Sequence, residues 1–226
     1  MGQLISPYSI AVLISGTGTN LQALVKAQQE GLLDAHIGLV ISNEPKALGL
    51  NHAHKANIPT CIINHRDFLT RSHFDQAITN KLDQLDPNLI VLAGFMRQLT
   101  PHFVHQYYGK IINLHPSLLP KYKGLNTFER ALNEEAKEHG STVHFVAPEL
   151  DAGPIISYAR CSIQPHDTTK DLQERTKALE HYLLPLTVQY FAKQKVSLYH
   201  RQVTLEDRIL PPEGTDLTQI IHKFTH

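Results

Sequence analysis

The sequence predicts a doubly wound α/β fold, a mostly parallel sheet carried by one domain over residues 1–226. Two observations predict it. Short apolar runs rich in β-branched residues recur without polar alternation, as strands buried on both faces do. Between them lie longer stretches of helical spacing, several closing on Gly or Asn. Alternation of this kind argues for parallel strands joined by right-handed crossovers.

The elements follow in order. Strands are expected at "SIAVLIS" (9–15), "IGLVIS" (37–42), "TCIIN" (60–64), "NLIVLAG" (88–94) and "KIINLH" (110–115). Helices are expected at "NLQALVKAQQEG" (20–31), "KALGLNHAHKAN" (46–57), "SHFDQAITNKLDQLD" (72–86) and "TPHFVHQYYG" (100–109). After residue 140 the pattern changes: "STVHFVAPE" (141–149) and "PIISYARCSI" (154–163) read as two strands joined through "LDAGP". A long helix opens at "HDTTKD" and runs to about Phe191, with Pro185 expected to kink it. The stretch "KVSLYHRQVTLEDRILPPEG" (195–214) reads as a terminal hairpin or arm. Residues 1–8 are expected as an N-terminal extension and 215–226 as a C-terminal tail.

Composition narrows the function. Twenty-one basic residues balance twenty-one acidic ones, a poor basis for holding nucleic acid through counterion release. No apolar run approaches the ~20 residues of a membrane helix, and the N-terminus lacks the basic and apolar regions of a signal peptide. Small-molecule substrates in the cytoplasm are the expectation. Cys61 and Cys161 fit no CxxC motif and read as buried free thiols. His52 with His54, and His102 with His105, lack partners that would complete a metal set, so no metal is expected.

"ISGTGTNLQAL" puts Gly16 and Gly18 between the first strand and first helix. Glycines permit a tight turn, and a helix N-terminus presents free N–H groups to an anion. A dinucleotide fingerprint is incomplete, because Leu21 stands where the third glycine belongs and Glu44 is weakly placed as a ribose partner. No Lys-Ser/Thr pair follows, which excludes a Walker loop. A lone phosphate held by Gly18, Thr19 and Asn20 is favoured over a turn that needs glycine for packing alone.

Asn113 and His115 are two apart at the end of a strand and so share a face. They lie at the carboxyl edge, where doubly wound folds place ligands. Pro116 keeps His115 extended. An amide donor beside an imidazole is equipment for stabilising an oxyanion while moving a proton. Charging the imidazole needs a carboxylate neighbour, and Asp151 on the "ELDAGP" turn is the candidate. Taken singly, these residues also fit a satisfied buried pair and a turn-former.

Five stretches, "ISGTGTNLQAL", "VLAGFMRQLTP", "INLHPSLLPKYKG", "STVHFVAPELDAGPII" and "RILPPEG", then occur in an order that resembles the phosphoribosylglycinamide formyltransferases. These are folate-dependent enzymes of purine synthesis with a Rossmann-like fold. The likeness spans Ser9 to Gly214. "NLHPSLLP" is common to all transferases that use formyltetrahydrofolate and to the related deformylase; "GTGTN" narrows the choice. The resemblance implies that Asn113, His115 and Asp151 are the catalytic trio. It implies that Gly18, Thr19 and Asn20 hold the substrate phosphate and that Lys177 and Glu180 touch the glycinamide substrate. The folate would lie against Met96, Arg97, Gln98 and Leu99, with Asn113 and with Ala147, Pro148, Glu149, Leu150 and Asp151, while Arg71 meets its far end. The bond before Pro120 becomes a candidate cis peptide. The implied co-substrate is 10-formyltetrahydrofolate, with no metal, no nucleic acid and no membrane, in a monomer or homodimer. Formyl transfer to an amino-sugar nucleotide or methionyl-tRNA, a deformylase, a non-catalytic binding module and a dehydrogenase are the competing readings.

Overall fold

The first five strands are β1 (Tyr8–Ile14), β2 (Ala35–Ser42), β3 (Thr60–Ile62), β4 (Leu89–Leu92) and β5 (Ile111–His115) in the computed structural model, which describes residues 7–225. They are joined through α1 (Thr19–Gln29), α2 (Gly49–Lys55), α3 (Arg71–Leu85) and α4 (Pro101–Gln106). All five strands run parallel, in the spatial order β3-β2-β1-β4-β5. Then come α5 (Thr127–Asn133), β6 (Glu138–Phe145) and β7 (Ile155–Ser162); β6 is antiparallel to both β5 and β7.

Helix α6 (Thr169–Ala192) follows, then a small antiparallel sheet of β8 (Val196–Tyr199), β9 (Gln202–Leu205) and β10 (Arg208–Ile209), which is the expected hairpin. The chain ends in β11 (Thr215–Asp216), parallel to β7 on the outer side of an eight-stranded sheet, and α7 (Thr218–Thr225).

Strand β1 shows why the sheet is covered on both faces. Ile10, Val12 and Ile14 belong to the core on the α1 and α6 side, whereas Ala11 and Leu13 belong to the core under α3 and α4. Strand β4 divides the same way, Leu89 and Val91 against Ile90 and Leu92. A period of two with every position apolar leaves no face for water.

Several expectations need correction. The segment set aside as a tail adds a strand to the sheet and buries Leu217 and Ile221 in the larger core. Tyr8, assigned to the N-terminal extension, begins β1 and is preceded by an exposed Pro7; residues 1–6 of that extension lie outside the described residues. The strand expected at 141–149 runs Glu138–Phe145 and leaves Val146 onward free to form a loop. As expected, Pro185 lies inside helix α6, which continues on both sides of it. An interior proline removes one ladder hydrogen bond and crowds the preceding turn; the start of this helix is anchored by a capping box in which Thr168 and Asp171 satisfy each other's backbone N–H. No described helix is long and apolar enough to cross a membrane.

Candidate active site

The order of the parallel strands reverses between β1 and β4, so a crevice opens beyond their carboxyl ends. The loop after β1 enters it with Gly18 in the left-handed region, φ 70°. A Cβ on Gly18 would lie 2.4 Å from the Cα of Gly49, so two backbones meet there without side chains. Gly49 N–H donates to the Gly16 carbonyl at 3.0 Å, which ties α2 to the loop. Gly18 caps α1 without a side-chain acceptor, and the first intrahelical bond runs from Gln22 N–H to Gly18 O. The N–H groups of Thr19, Asn20 and Leu21 thus point out of the helix end, as an anion requires.

Asn113 and His115 project from the last turn of β5, and the antiparallel neighbour adds a third group. The register pairs Asn113 with His144 and His115 with Thr142 across β5 and β6. Asn113 Nδ2 lies 3.2 Å from His144 Nε2, while His144 Nδ1 lies 2.8 Å from the Phe145 carbonyl. A carbonyl only accepts, so Nδ1 carries the proton. Burial pushes the His144 imidazole well below its ordinary pKa, leaving Nε2 a bare acceptor. That acceptor fixes the Asn113 amide with its nitrogen inward and one N–H spare.

His115 is held between two partners. Its Nε2 lies 2.9 Å from the Tyr122 carbonyl and therefore donates. Its Nδ1 lies 3.4 Å from Asp151 Oδ2, beyond the ~2.7–2.9 Å of a tight charged pair. Asp151 sits on the turn after β6 with φ 47°, and its Oδ2 also accepts from Gly124 N–H at 2.9 Å. Its Oδ1 is 3.7 Å from His144 Nε2. The hairpin arm braces this turn, since Arg201 Nη2 donates to the Ala152 carbonyl at 2.9 Å. The Leu119–Pro120 peptide in the intervening loop is cis.

These groups form one wall of a cavity of about 640 Å³, within the range of small-molecule sites. Met96, Arg97, Gln98, Leu99, Asn113, Ala147, Pro148, Glu149, Leu150 and Asp151 all line it, together with Gly124 to Glu129 of the α5 loop. Arg71 is outside the lining; its Nη1 reaches Gln98 Oε1 at 3.4 Å. The Met96 N–H donates to Ser15 Oγ at 2.7 Å, which ties this loop to the residue after β1.

Across the trio, on the side of α1 and α6, Glu180 is buried with a carboxylate that accepts from Ser141 Oγ at 2.7 Å and Asn20 Nδ2 at 3.0 Å. One of the two Asn20 Nδ2–H groups is thereby committed to Glu180, which leaves the second and the backbone N–H unspent. Burial raises the Glu180 pKa; Ser141, Asn20, Lys177 and His115 each pull it back. Asn20 of α1 and Glu180 of α6 are thereby tied to Ser141 on β6, the strand paired with β5. Sequence reasoning missed His144, Ser141 and the Tyr122 carbonyl. The alternation in "STVHFV" placed His144 on one face with Thr142, but only the strand pairing shows that this face is Asn113's. Cys61 and Cys161 are free, as expected, but half-buried rather than buried, and neither lines the cavity.

Known proteins resemble this chain closely. The formyl transferase family model matches residues 8–188. The phosphoribosylglycinamide formyltransferase of Haemophilus influenzae is 43% identical over 205 residues, which cover 91% of this chain and 97% of that protein. The Escherichia coli enzyme of the same name is 40% identical over 206 residues, with the same shares. The solved structure of the phosphoribosylglycinamide formyltransferase of Coxiella burnetii in complex with CHES superposes with a TM-score of 0.90 at 49% identity, covering 93% of this chain and 99% of that one. The chain belongs to the formyl transferase family, among its phosphoribosylglycinamide formyltransferases.

Proposed function

We propose that this single-domain enzyme transfers the formyl group of 10-formyltetrahydrofolate to the amine of 5-phosphoribosylglycinamide, giving 5-phosphoribosyl-N-formylglycinamide, in cytoplasmic de novo purine biosynthesis. The observation that carries the reading is the junction itself: Asn113, His115 and Asp151 stand between a cavity of about 640 Å³ and a helix end with free N–H groups.

In this reading the N–H groups at the start of α1, with the Thr19 hydroxyl, hold the substrate phosphate, and Glu180 with Lys177 holds the glycinamide portion. The cavity between Met96–Leu99 and Ala147–Asp151 holds the folate, whose N10 formyl group supplies the electrophile. Fixing both partners removes most of the entropic cost of encounter, an effect worth ~7–11 kcal/mol. The neutral amine attacks the formyl carbon. The spare N–H of Asn113 then meets the developing oxyanion, and the His115 imidazolium stabilises it from the other side. Nδ1 is the ring position free to do this, because its 3.4 Å contact with Asp151 is loose and Nε2 is committed to Tyr122. Asp151 balances the ring charge and takes part in moving the amine's surplus proton to N10.

The test is spectroscopic release of tetrahydrofolate upon adding glycinamide ribonucleotide. A panel with an amino-sugar nucleotide, methionyl-tRNA and water alone separates the competing transferases and a deformylase. Strong preference for glycinamide ribonucleotide is expected; equal turnover without any acceptor would overturn the assignment.

A further inference from the structure

Glu180 is 5% exposed, and a carboxylate taken so far from water needs donors to remain ionised. Two elements provide them from opposite directions. Ser141 Oγ, on the fully buried centre of β6, donates to Oε1 at 2.7 Å; Asn20 Nδ2, in the first turn of α1, donates to Oε2 at 3.0 Å. Ser141 projects to the face of the sheet opposite Thr142 and His144, so it is placed to reach α6 and not the folate cavity. The charged groups that face the carboxyl are Lys177 from α6 and His115 from β5. Asn20 Oδ1 is buried without a partner. Exchanging the two ends of that amide would set oxygen against the carboxylate, so the orientation with nitrogen inward is enforced.

We infer that Ser141 is a positioning residue for substrate recognition: with Asn20 it clamps the Glu180 carboxylate, ionised and in one rotamer, toward the donor groups of the phosphoribosylglycinamide substrate. The inference rests on the reading of Glu180 as substrate-facing. Ser141 touches no substrate itself; its hydroxyl acts only through Glu180. Removing it takes away one of the influences that lower the carboxyl's pKa, so a larger share of Glu180 becomes neutral at a given pH. The neutral form holds a donor where an acceptor is needed.

The experiment compares Ser141→Ala and Ser141→Cys with the unaltered chain between about pH 6 and pH 9. Hydrogen bonds to charged groups are worth enough that Ser141→Ala should raise KM for glycinamide ribonucleotide about tenfold near pH 6.5, with kcat and folate KM within about twofold. The excess should shrink as pH rises and the carboxyl ionises. Ser141→Cys fills the same volume with a weak donor, so it should follow the alanine variant; a wild-type KM profile in Ser141→Cys would overturn the role. In a Glu180→Gln background the Ser141→Ala change should add nothing to KM, and additive losses would overturn it too. Without substrate, difference infrared spectra should show the buried carboxyl titrating at higher pH in Ser141→Ala. An unmoved titration removes the clamp. A moved titration in a chain whose wild type ignores glycinamide ribonucleotide keeps the clamp and removes the substrate role.

Discussion

Gly18→Ala tests the proposed phosphate loop most directly. The added Cβ would lie 2.4 Å from the Cα of Gly49 and 3.4 Å from its nitrogen. Carbon atoms pack at ~3.5–4.0 Å, so loop and α2 must part by about 1 Å, since neither contact is a flexible side-chain end. The residue also keeps φ 70°, which costs an L-residue about 1–2 kcal/mol. Strain and overlap together should lower Tm by roughly 5–10 °C for a chain of this size. A displacement of about 1 Å in a group that fixes the reacting amine costs on the order of 10²-fold in kcat/KM. The assay is kcat/KM for glycinamide ribonucleotide, beside calorimetric affinity for a non-reactive folate analogue, which should stay within about twofold. Gly49→Ala separates the two causes: its Cβ would lie 2.9 Å from Gly18 Cα, but Gly49 is not among the glycines at positive φ. It should weaken substrate binding in the same direction with a smaller loss of Tm. A Gly18→Ala enzyme with unchanged KM for the ribonucleotide, or with equal losses for both ligands, would refute the placement of the phosphate.

Asp151→Asn removes the charge opposite His115 while keeping the shape of the turn, and should cut kcat by about 10²–10³-fold with folate affinity within a few fold; an enzyme near full speed would reject the role of the carboxylate. His144→Phe keeps the ring volume but takes away the acceptor that orients Asn113, so kcat should fall about tenfold or more, and an unchanged kcat would dissociate the two residues. His139 is buried between the rings of Tyr122 and Phe128, and burial lowers its pKa to about 4. Because the unfolded histidine titrates near ~6.5, the folded protein binds this proton less readily; the stabilisation is complete above pH ~6.5 and is lost as pH falls toward 4, by on the order of 3 kcal/mol. His139→Phe should therefore lose less Tm than wild type on acidification across that window, and parallel losses would place the acid sensitivity elsewhere.

Much of this architecture was legible because burial on both faces writes a local pattern. Strands β1, β2, β4 and β5 are rich in β-branched and other apolar residues with few polar interruptions, and α6 announces itself through Thr168 and Asp171. Asn113 and His115 were legible from the period of a strand, and Asp151 from a turn. The short helices carried weaker signals: α5 has only seven residues and no side-chain cap, and α7 follows a strand of two residues. Residues of the site that act across the sheet left no local trace. His144 matters because it is paired with Asn113, Ser141 because α6 brings Glu180 to it, and Tyr122 through a carbonyl that every residue possesses. Gly49 meets Gly18 from another helix, and no spacing rule connects them.

Thr215 and Asp216 pair with Ser157 and Tyr158, and they shield the outermost long strand. Leu217 N–H continues the cover on the Tyr158 carbonyl at 2.9 Å, Thr218 Oγ1 accepts from Arg160 N–H at 3.0 Å, and the Arg160 guanidinium grips Asp216 at 2.6 Å. A chain shortened after Gly214 would bare these amides and carbonyls as a template for a second molecule, while emptying the pockets of Leu217 and Ile221. Such a shortened chain should fail first by self-association, before its chemistry is lost.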